Sequence, residues 1–225
     1  MVSIAIDGPG GAGKSTIAKA LAKKLGYIYV DTGALYRAIG LYMLNSGADT
    51  KDMSAVTPKL AEIDVELKYV DGAQKVILCG QDVSTEIRKP EVSMAASDVS
   101  AIGEVRAFLL DLQRDMARKN NVIMDGRDIG TVVLPNAQIK IFLTASAEER
   151  AMRRYKELVE KGVEVEYKTV LKELNERDYQ DSHREIAPLK PADDADLIDT
   201  TGNDLDQSVN MLAEYVSKRL GELEE

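Results

Sequence analysis

Apolar and polar positions alternate along this chain in two distinct patterns. Five short apolar runs are separated by longer stretches in which apolar residues recur every three or four positions. The apolar runs are residues 4–6, 27–30, 122–124, 139–143 and 196–198. Strands that helices cover on both faces have this apolar character. The pattern therefore predicts an α/β fold with a five-stranded parallel sheet flanked by helices.

A long segment between the second and third predicted core strands interrupts this alternation. Residues 65–70 and 75–78 flank the turn-forming pair Asp71-Gly72, which predicts a hairpin. Residues 79–83 supply a third short strand, so we expect an inserted small antiparallel β subdomain at about residues 61–90. Helices are predicted at residues 91–100, 104–119 and 205–220.

The candidate chemistry begins directly after the first apolar run. Residues 8–15 fit G-x-x-x-x-G-K-[ST] between a strand and a helix, the context that this phosphate-binding motif requires. In such a loop the backbone N–H groups attract anions, Lys14 reaches the β- and γ-phosphates and the Ser15 hydroxyl ligates Mg²⁺. The alternative is a glycine-rich turn without a ligand, against which both flanking elements argue. The predicted triphosphate-binding residues are Gly8, Pro9, Gly10, Gly11, Ala12, Gly13, Lys14, Ser15 and Thr16.

The composition of the chain limits the kinds of substrate, binding partner and cell compartment that we expect. The 225 residues carry a net charge of −9, which argues against broad attraction to a nucleic-acid backbone and favours a small substrate. A single cysteine, Cys79, excludes an internal disulfide and is expected to pack within the insertion. No apolar run is long enough to span a bilayer or to serve as a signal peptide. We therefore expect a cytoplasmic protein with no membrane and no nucleic-acid partner.

A second motif follows the second predicted strand. Residues 31–37 read Asp-Thr-Gly-Ala-Leu-Tyr-Arg, and Asp31 or Thr32 caps a helix with Tyr36 and Arg37 on its first turns. Taken alone, this motif is compatible with a capped helix and a solvated arginine. Neighbouring parallel strands end at the same edge of a sheet, which favours instead a second phosphate site beside the first.

The third predicted core strand ends in a cluster of charges. Residues 121–125 form an apolar run that ends in a carboxylate able to hold Mg²⁺ or its waters, which assigns Asp125 to the metal. Arg127 suits bidentate binding of a phosphate, and Asp128 suits an amine of a substrate. The alternative is a mutual salt bridge between Arg127 and Asp128 on a loop.

Arginines also gather on two predicted helices further along the chain. On the first, Arg150, Arg153 and Arg154 share one face, where either neighbouring glutamates or a migrating phosphoryl group neutralises them. The second helix ends in residues 177–184, Arg-Asp-Tyr-Gln-Asp-Ser-His-Arg. Because Gly162 lies between the two helices, we expect them to form a lid that closes over a substrate.

Together these motifs resemble the bacterial-type cytidylate kinases, a branch of the nucleoside monophosphate kinases. The resemblance runs over nearly the whole chain and is most specific in EIRKPEVSMAASDVSAIGEVR at 86–106, DGRDIGTVV at 125–133 and ERDYQDSHREIAPL at 176–189. It implies a P-loop NTPase fold in a single kinase domain over residues 1–225. The expected parts are a core of residues 1–60, 91–146 and 186–225, an acceptor-side insertion at about 61–90 and a lid at about 147–185.

The resemblance also implies roles for individual residues. Catalytic roles fall to Lys14, Arg127, Arg150 and Arg154, and metal binding to Ser15 and Asp125, the latter directly or through water. The residues implied to bind CMP are Thr32, Tyr36, Arg37, Ser97, Arg106, Arg127, Asp128, Arg177, Asp181 and Arg184. Asp128 is expected to accept a hydrogen bond from the exocyclic amine of cytosine, which uracil lacks.

The implied activity is transfer of the γ-phosphoryl group of ATP, with Mg²⁺, to CMP or dCMP by a monomer. The rival enzyme is a kinase for another acceptor, such as a different monophosphate or a sugar alcohol. The arginines beyond the loop favour a phosphorylated acceptor. A nucleotide-dependent switch is the rival from another class, but the chain carries no Asn-Lys-x-Asp signature.

Overall fold

The computed structural model of the chain describes residues 1–70 and 73–223. Its strands are β1 (Ser3–Asp7), β2 (Ile28–Asp31), β3 (Val65–Val70), β4 (Ala73–Leu78), β5 (Gln81–Asp82), β6 (Val122–Gly126), β7 (Ile139–Thr144) and β8 (Asp196–Asp199). Its α-helices are α1 (Lys14–Leu25), α2 (Thr32–Asn45), α3 (Met53–Val56), α4 (Pro90–Ser100), α5 (Gly103–Lys119), α6 (Ala147–Glu160), α7 (Tyr167–His183) and α8 (Leu205–Glu222). Short 3-10 helices occupy Thr57–Glu62 and Glu86–Arg88, and Ile129–Val133 form a π-helix.

Five strands form the main sheet, in the order β2-β6-β1-β7-β8. Strand β1 pairs in parallel with β6 on one side and with β7 on the other, and β8 continues the sheet beyond β7. In this register Asp7 lies opposite Gly126, so the loops after β1 and β6 begin side by side. The predicted five-stranded parallel sheet flanked by helices is confirmed, and each strand lies within two residues of its predicted position.

The chain divides into two compact units, each with its own core. The terminal unit comprises Met1–Tyr29 and Lys119–Glu225, and the central unit comprises Val30–Arg118. In the terminal unit, Ile6 and Ile141 of the main sheet share a core with Leu212 of α8. In the central unit, Leu35 of α2 and Leu109 of α5 belong to a second core. Complete burial of such side chains is the main favourable contribution to the stability of each unit.

Within the central unit, three antiparallel strands form a second sheet in the order β3-β4-β5. The predicted hairpin and third strand are thus confirmed, whereas the turn predicted at Asp71-Gly72 lies outside the described residues. The expectation that Cys79 packs was wrong, because this residue is exposed in the turn between β4 and β5, with a φ of 47°. The limits predicted for the insertion and for the lid stay predictions.

Local capping sets the start of two helices. Asp31 accepts a hydrogen bond from Ala34 N at 3.0 Å, so Asp31 rather than Thr32 caps α2. Asp204 and Gln207 form a reciprocal capping box at the start of α8. In the part of the chain that the structure describes, no helix is long and apolar enough to cross a membrane.

Candidate active site

The loop between β1 and α1 has the backbone of a phosphate-binding nest. Gly8 has a φ of +147°, and a β-carbon at this position would lie 2.0 Å from the carbonyl oxygen of Leu143. Gly13 adopts the left-handed conformation immediately before α1, whose first residues are Lys14 and Ser15. Backbone N–H groups in such a loop, together with the N-terminus of the helix, attract anions. This is the geometry that a triphosphate-binding loop requires.

Lys14 is a buried cation at this loop. Its ammonium group donates to the carbonyl oxygen of Pro9 at 2.7 Å. Burial holds the pKa of Lys14 well below its ordinary value, and the neighbouring Arg127 lowers it further. Asp125 and Asp7 act in the opposite direction without restoring the pKa. A bound phosphate would supply the negative charge that these carboxylates do not provide.

Asp125 lies near the end of β6, beside Ser15. The Ser15 hydroxyl donates to Asp125 Oδ2 at 2.8 Å, so the two residues predicted for the metal lie together. The Tyr29 hydroxyl donates to Asp125 Oδ1, also at 2.8 Å. A hydroxyl and a carboxylate are oxygen ligands of the kind that Mg²⁺ selects. The described residues contain no cluster of three or more His, Cys, Asp or Glu side chains that would form a larger metal site.

Asp7 is a buried carboxylate at the end of β1. Its two oxygens accept hydrogen bonds from the backbone N–H groups of Ile129 and Gly130, each at 2.7 Å. Burial raises the pKa of Asp7 to about 6, and the charge of Asp128 adds to this, although the two N–H donors and Lys14 oppose it. Asp7 thereby fixes the backbone directly after Asp128.

Arg127 and Asp128 each pair with a residue of α7 or of the segment after it. Arg127 Nε donates to Asp181 Oδ2 at 2.8 Å, and Arg184 Nη2 lies 3.7 Å from Asp128 Oδ1. The alternative of a mutual salt bridge is therefore not favoured. Burial raises the pKa of Asp181, but Arg127 and Arg177 outweigh it and hold this pKa below its ordinary value. Five predicted CMP-binding residues thus lie in one network of opposite charges.

Arg150 on α6 is anchored at the phosphate-binding loop. Its guanidinium donates to the carbonyl oxygens of Ala145 and Gly10, each at 2.8 Å. It also donates to Asp178 Oδ2 at 2.6 Å, and Asp178 Oδ1 accepts from the Gly10 N–H at 3.3 Å. Arg150 is buried in this arrangement. Asp178 therefore links Arg150 to the backbone of the loop.

The other two arginines on α6 pair with glutamates of the same helix. Arg153 Nη2 lies 3.4 Å from Glu149 Oε2, and Arg154 Nη1 lies 3.2 Å from Glu157 Oε2. For these two arginines, the structure shows the neutralisation by glutamates that was one of the two alternatives. Arg153 also reaches the loop, since its Nη1 lies 3.8 Å from the β-carbon position at Gly13. The catalytic role of Arg154 stays a prediction.

In the central unit, Asp31 organises the start of α2. Arg88 Nη2 donates to Asp31 Oδ2 at 2.8 Å, and Arg37 Nη1 lies 3.7 Å from Asp31 Oδ1. Gln74 of β4 accepts a hydrogen bond from Asp31 N at 2.9 Å. Burial raises the pKa of Asp31, but Arg37 and Arg88 outweigh it and lower the pKa below its ordinary value. These contacts hold Arg37, a predicted phosphate ligand, beside a buried carboxylate.

Helices α2, α4 and α5 bring further predicted residues together in the central unit. The Arg106 guanidinium carbon lies 5.5 Å from the centre of the Tyr36 ring, a cation–π distance. Arg106 Nη1 donates to Ser100 O at 3.2 Å, and Ser100 Oγ donates to Ser97 O at 2.8 Å. Thr32, Ser97 and Arg106 are buried. Their polar groups are therefore held in fixed surroundings.

Four polar residues of this arrangement were missed by the motif analysis: Asp7, Tyr29, Arg88 and Asp178. A carboxylate at the end of an apolar strand identified Asp125, and the same signal was available for Asp7. Arg88 and Asp178 lie within the segments that carry the family resemblance. No sequence pattern identifies Tyr29, because its hydroxyl reaches Asp125 only when β2 and β6 lie in one sheet.

Comparisons with known proteins are consistent with these features. The family model described as "Cytidylate kinase" matches residues 4–218. A cytidylate kinase of Caldicellulosiruptor saccharolyticus is 54% identical over 220 residues, covering 98% of this chain and 97% of that protein. A cytidylate kinase of Lactobacillus johnsonii is 48% identical over 219 residues, covering 97% of this chain and 95% of that protein. The crystal structure of an uncharacterized protein from Eubacterium ventriosum has a TM-score of 0.53 at 14% identity, over 96% of this chain and 99% of that one, and supports the fold alone.

Proposed function

The chain belongs to the cytidylate kinase family, and we propose that it transfers the γ-phosphoryl group of MgATP to CMP and dCMP, giving ADP and CDP or dCDP. The observation that carries the proposal is the positive charge at the phosphate-binding loop. Lys14 and Arg150 are buried there, and Arg127 lies close enough to Lys14 to lower its pKa. The phosphate groups of two substrates would interact favourably with these cations. The products belong to pyrimidine nucleotide metabolism.

The proposed reaction depends on positioning and on neutralising charge. An oxygen of a nucleoside monophosphate is already anionic at neutral pH, so no general base is needed to activate it. In-line transfer then requires donor and acceptor to be held in register, with cations around the migrating group. We propose that Lys14, Arg127 and Arg150 provide those cations, and we extend the role to Arg154.

One residue near the end of β6 and one at the start of α1 fit a magnesium ion. We assign Ser15 and Asp125 to it, because their hydroxyl and carboxylate lie 2.8 Å apart at the start of α1. Asp125 would act as a ligand or through a water. When it is bound together with ATP, Mg²⁺ would neutralise part of the negative charge of the phosphates. The fit rests on oxygen donors, which suit this ion.

The other binding roles extend the family resemblance as proposals. The ATP phosphates are assigned to residues 8–16. In the central unit, the residues assigned to CMP are Thr32, Tyr36, Arg37, Ser97 and Arg106. In the terminal unit, they are Arg127, Asp128, Arg177, Asp181 and Arg184. The charge network of Arg127, Asp181, Asp128 and Arg184 supports the second set.

We propose a lid at about residues 147–185, of which α6 and α7 form the greater part. Arg150 on α6 and Asp178 on α7 contact Gly10 directly. Closure of such helices over ATP would exclude water and assemble the cations when both substrates are bound.

Selectivity for cytosine is proposed to come from Asp128. A carboxylate accepts a hydrogen bond from the exocyclic amine of cytosine, whereas uracil presents an oxygen at that position. Ring N3 and O2 of cytosine are acceptors that suit Arg106 and Ser97. The backbone after Asp128 is held by two 2.7 Å hydrogen bonds to Asp7, so this carboxylate stands on a rigid segment.

The proposal is tested by a coupled assay of ADP release with MgATP and, separately, CMP, dCMP, UMP, AMP and GMP at matched concentrations. We expect CMP and dCMP to give the fastest release. If another monophosphate gave the fastest ADP release, that monophosphate would replace CMP as the proposed acceptor. If ATP binds but none of the five supports release, a different acceptor or a switch function would replace the proposal.

The chain is proposed to act as a monomer, as its family resemblance implies. Size-exclusion chromatography with light scattering tests this independently of activity. A mass of one chain with and without nucleotide is the expected result, and a stable dimer would contradict it.

A further inference from the structure

Two hydroxyl groups hold the carboxylate of Asp125 from opposite sides. Ser15 Oγ donates to Oδ2 and the Tyr29 hydroxyl donates to Oδ1, both at 2.8 Å. Ser15 belongs to the phosphate-binding loop, whereas Tyr29 lies on β2 and belongs to no nucleotide-binding motif. Asp125 and Tyr29 are both buried, with exposed fractions of 4% and 8%. Both oxygens of the carboxylate therefore have a fixed donor.

The ring of Tyr29 is itself held in place. Lys19 Nζ lies 5.4 Å from the ring centre, a cation–π distance. Lys19 follows Ser15 by one turn of α1, so both side chains lie on the same side of that helix. Tyr29 on β2 thus contacts α1 through Lys19 and β6 through Asp125. A hydroxyl on such an anchored ring is a well-directed donor.

We propose that Tyr29 is a positioning residue for the magnesium ion that accompanies the nucleotide. The proposal rests on the proposed function, in which Ser15 and Asp125 serve that ion. A carboxylate rotates readily about its last torsion, and its two oxygens are equivalent until a donor distinguishes them. The Tyr29 hydroxyl occupies Oδ1 and leaves Oδ2 directed at Ser15, where the two metal-binding oxygens meet. Groups that orient a metal ligand in this way contribute strongly to metal affinity.

The test is the Tyr29→Phe variant, which removes one oxygen and keeps the ring and its contact with Lys19. Affinity for a fluorescent ADP analogue is measured once with Mg²⁺ and once with EDTA. In the wild type, the dissociation constant in EDTA divided by the dissociation constant with Mg²⁺ reports how much the ion contributes to binding. We expect Tyr29→Phe to reduce this ratio about tenfold and to leave the dissociation constant in EDTA unchanged.

A matched control removes the same chemical group elsewhere. The Tyr42 hydroxyl also donates to a carboxylate at 2.8 Å, that of Glu62, but on the exposed surface of the central unit. Tyr42→Phe should change neither dissociation constant. A double-mutant cycle adds a second readout: with Asp125→Asn already present, Tyr29→Phe should have no further effect on the magnesium ratio.

Two results would overturn the proposal. An unchanged magnesium ratio in Tyr29→Phe would show that the hydroxyl does not position the ion. Equal weakening with Mg²⁺ and with EDTA, accompanied by a lower melting temperature, would assign Tyr29 a purely structural role. Because the readout is ADP binding, it stays separate from the acceptor assay: a chain that binds MgADP normally but phosphorylates no cytidine nucleotide refutes the proposed function alone.

Discussion

The buried carboxylate of Asp7 makes a sharp prediction about pH. Its pKa in the folded protein is about 6, whereas the ordinary value is 3.8. A carboxyl whose pKa is raised by folding binds its proton more tightly in the folded state. Its stabilising contribution is therefore fully present below pH 3.8 and is lost as the pH rises through 6. The removal of this contribution by Asp7→Asn should be visible in the pH dependence of unfolding.

The magnitude follows from the two pKa values. Proton linkage with values of 3.8 and about 6 gives a contribution of about 1.4 kcal/mol at pH 5 and about 0.1 kcal/mol at pH 7. The stability difference between the wild type and Asp7→Asn should therefore shift by about 1.3 kcal/mol between these pH values, against the wild type as the pH rises. The offset at any one pH also contains the loss of one acceptor for the Ile129 or Gly130 N–H.

The assay is urea unfolding of nucleotide-free wild type and Asp7→Asn at pH 5, 6 and 7. Subtracting the two curves cancels the titration of groups that both proteins share. Carbon-13 NMR of labelled aspartate provides a direct check, because one carboxyl resonance titrating near pH 6 should disappear in the variant. A stability difference that is constant from pH 5 to pH 7 would refute the reasoning.

Three further substitutions test the site. Lys14→Ala should keep a melting temperature near that of the wild type. Its turnover at saturating MgATP and CMP should fall at least a hundredfold, because a preorganised cation at the migrating group contributes about 3 kcal/mol. Near-normal turnover would contradict this role of Lys14. For Asp128→Asn, the ratio of kcat/KM for CMP over UMP should fall about tenfold, and an unchanged ratio would remove Asp128 from base recognition. Asp178→Asn weakens the 2.6 Å contact to Arg150 and should lower turnover about tenfold. Glu176→Gln, which alters an exposed 3.7 Å pair with Lys172 on the same helix, serves as its control and should behave as the wild type; equal effects of the two variants would argue against a specific role for Asp178.

Much of the fold was predictable because its signals are local. The apolar runs predicted the five core strands. For β1, β2, β6 and β7 the reason is that a strand covered on both faces is apolar along its length, whereas β8 at the edge of the sheet is mostly exposed. The glycine-rich loop with Lys14 and Ser15 was recognisable because its function depends on consecutive backbone N–H groups and a helix start. The resemblance to the cytidylate kinase family, carried by three segments, is confirmed by the family model over residues 4–218 and by relatives that cover nearly the whole chain.

The bounds of the two compact units were harder to predict from the sequence. Short strand-like runs around a turn-forming pair predicted an insertion at about residues 61–90, but the compact central unit extends over Val30–Arg118. Burial of α2, α4 and α5 in a common core defines that unit, and such packing is not visible in the pattern of any one helix. Cys79 was expected to pack because cysteine is commonly buried, yet its place in a tight turn exposes it.

By itself, the sequence determined which residue types gather after each strand: a lysine, carboxylates and arginines in numbers that suit phosphates. Only the tertiary structure decided how they pair. Arg127 donates a hydrogen bond to Asp181, Arg150 donates one to Asp178, and the Tyr29 hydroxyl donates one to Asp125. The physical reason is that a charge or hydroxyl can satisfy any opposite partner within reach. Its partner is chosen by the register of the strands and by which side chains are buried together, and these depend on contacts between residues far apart in the chain.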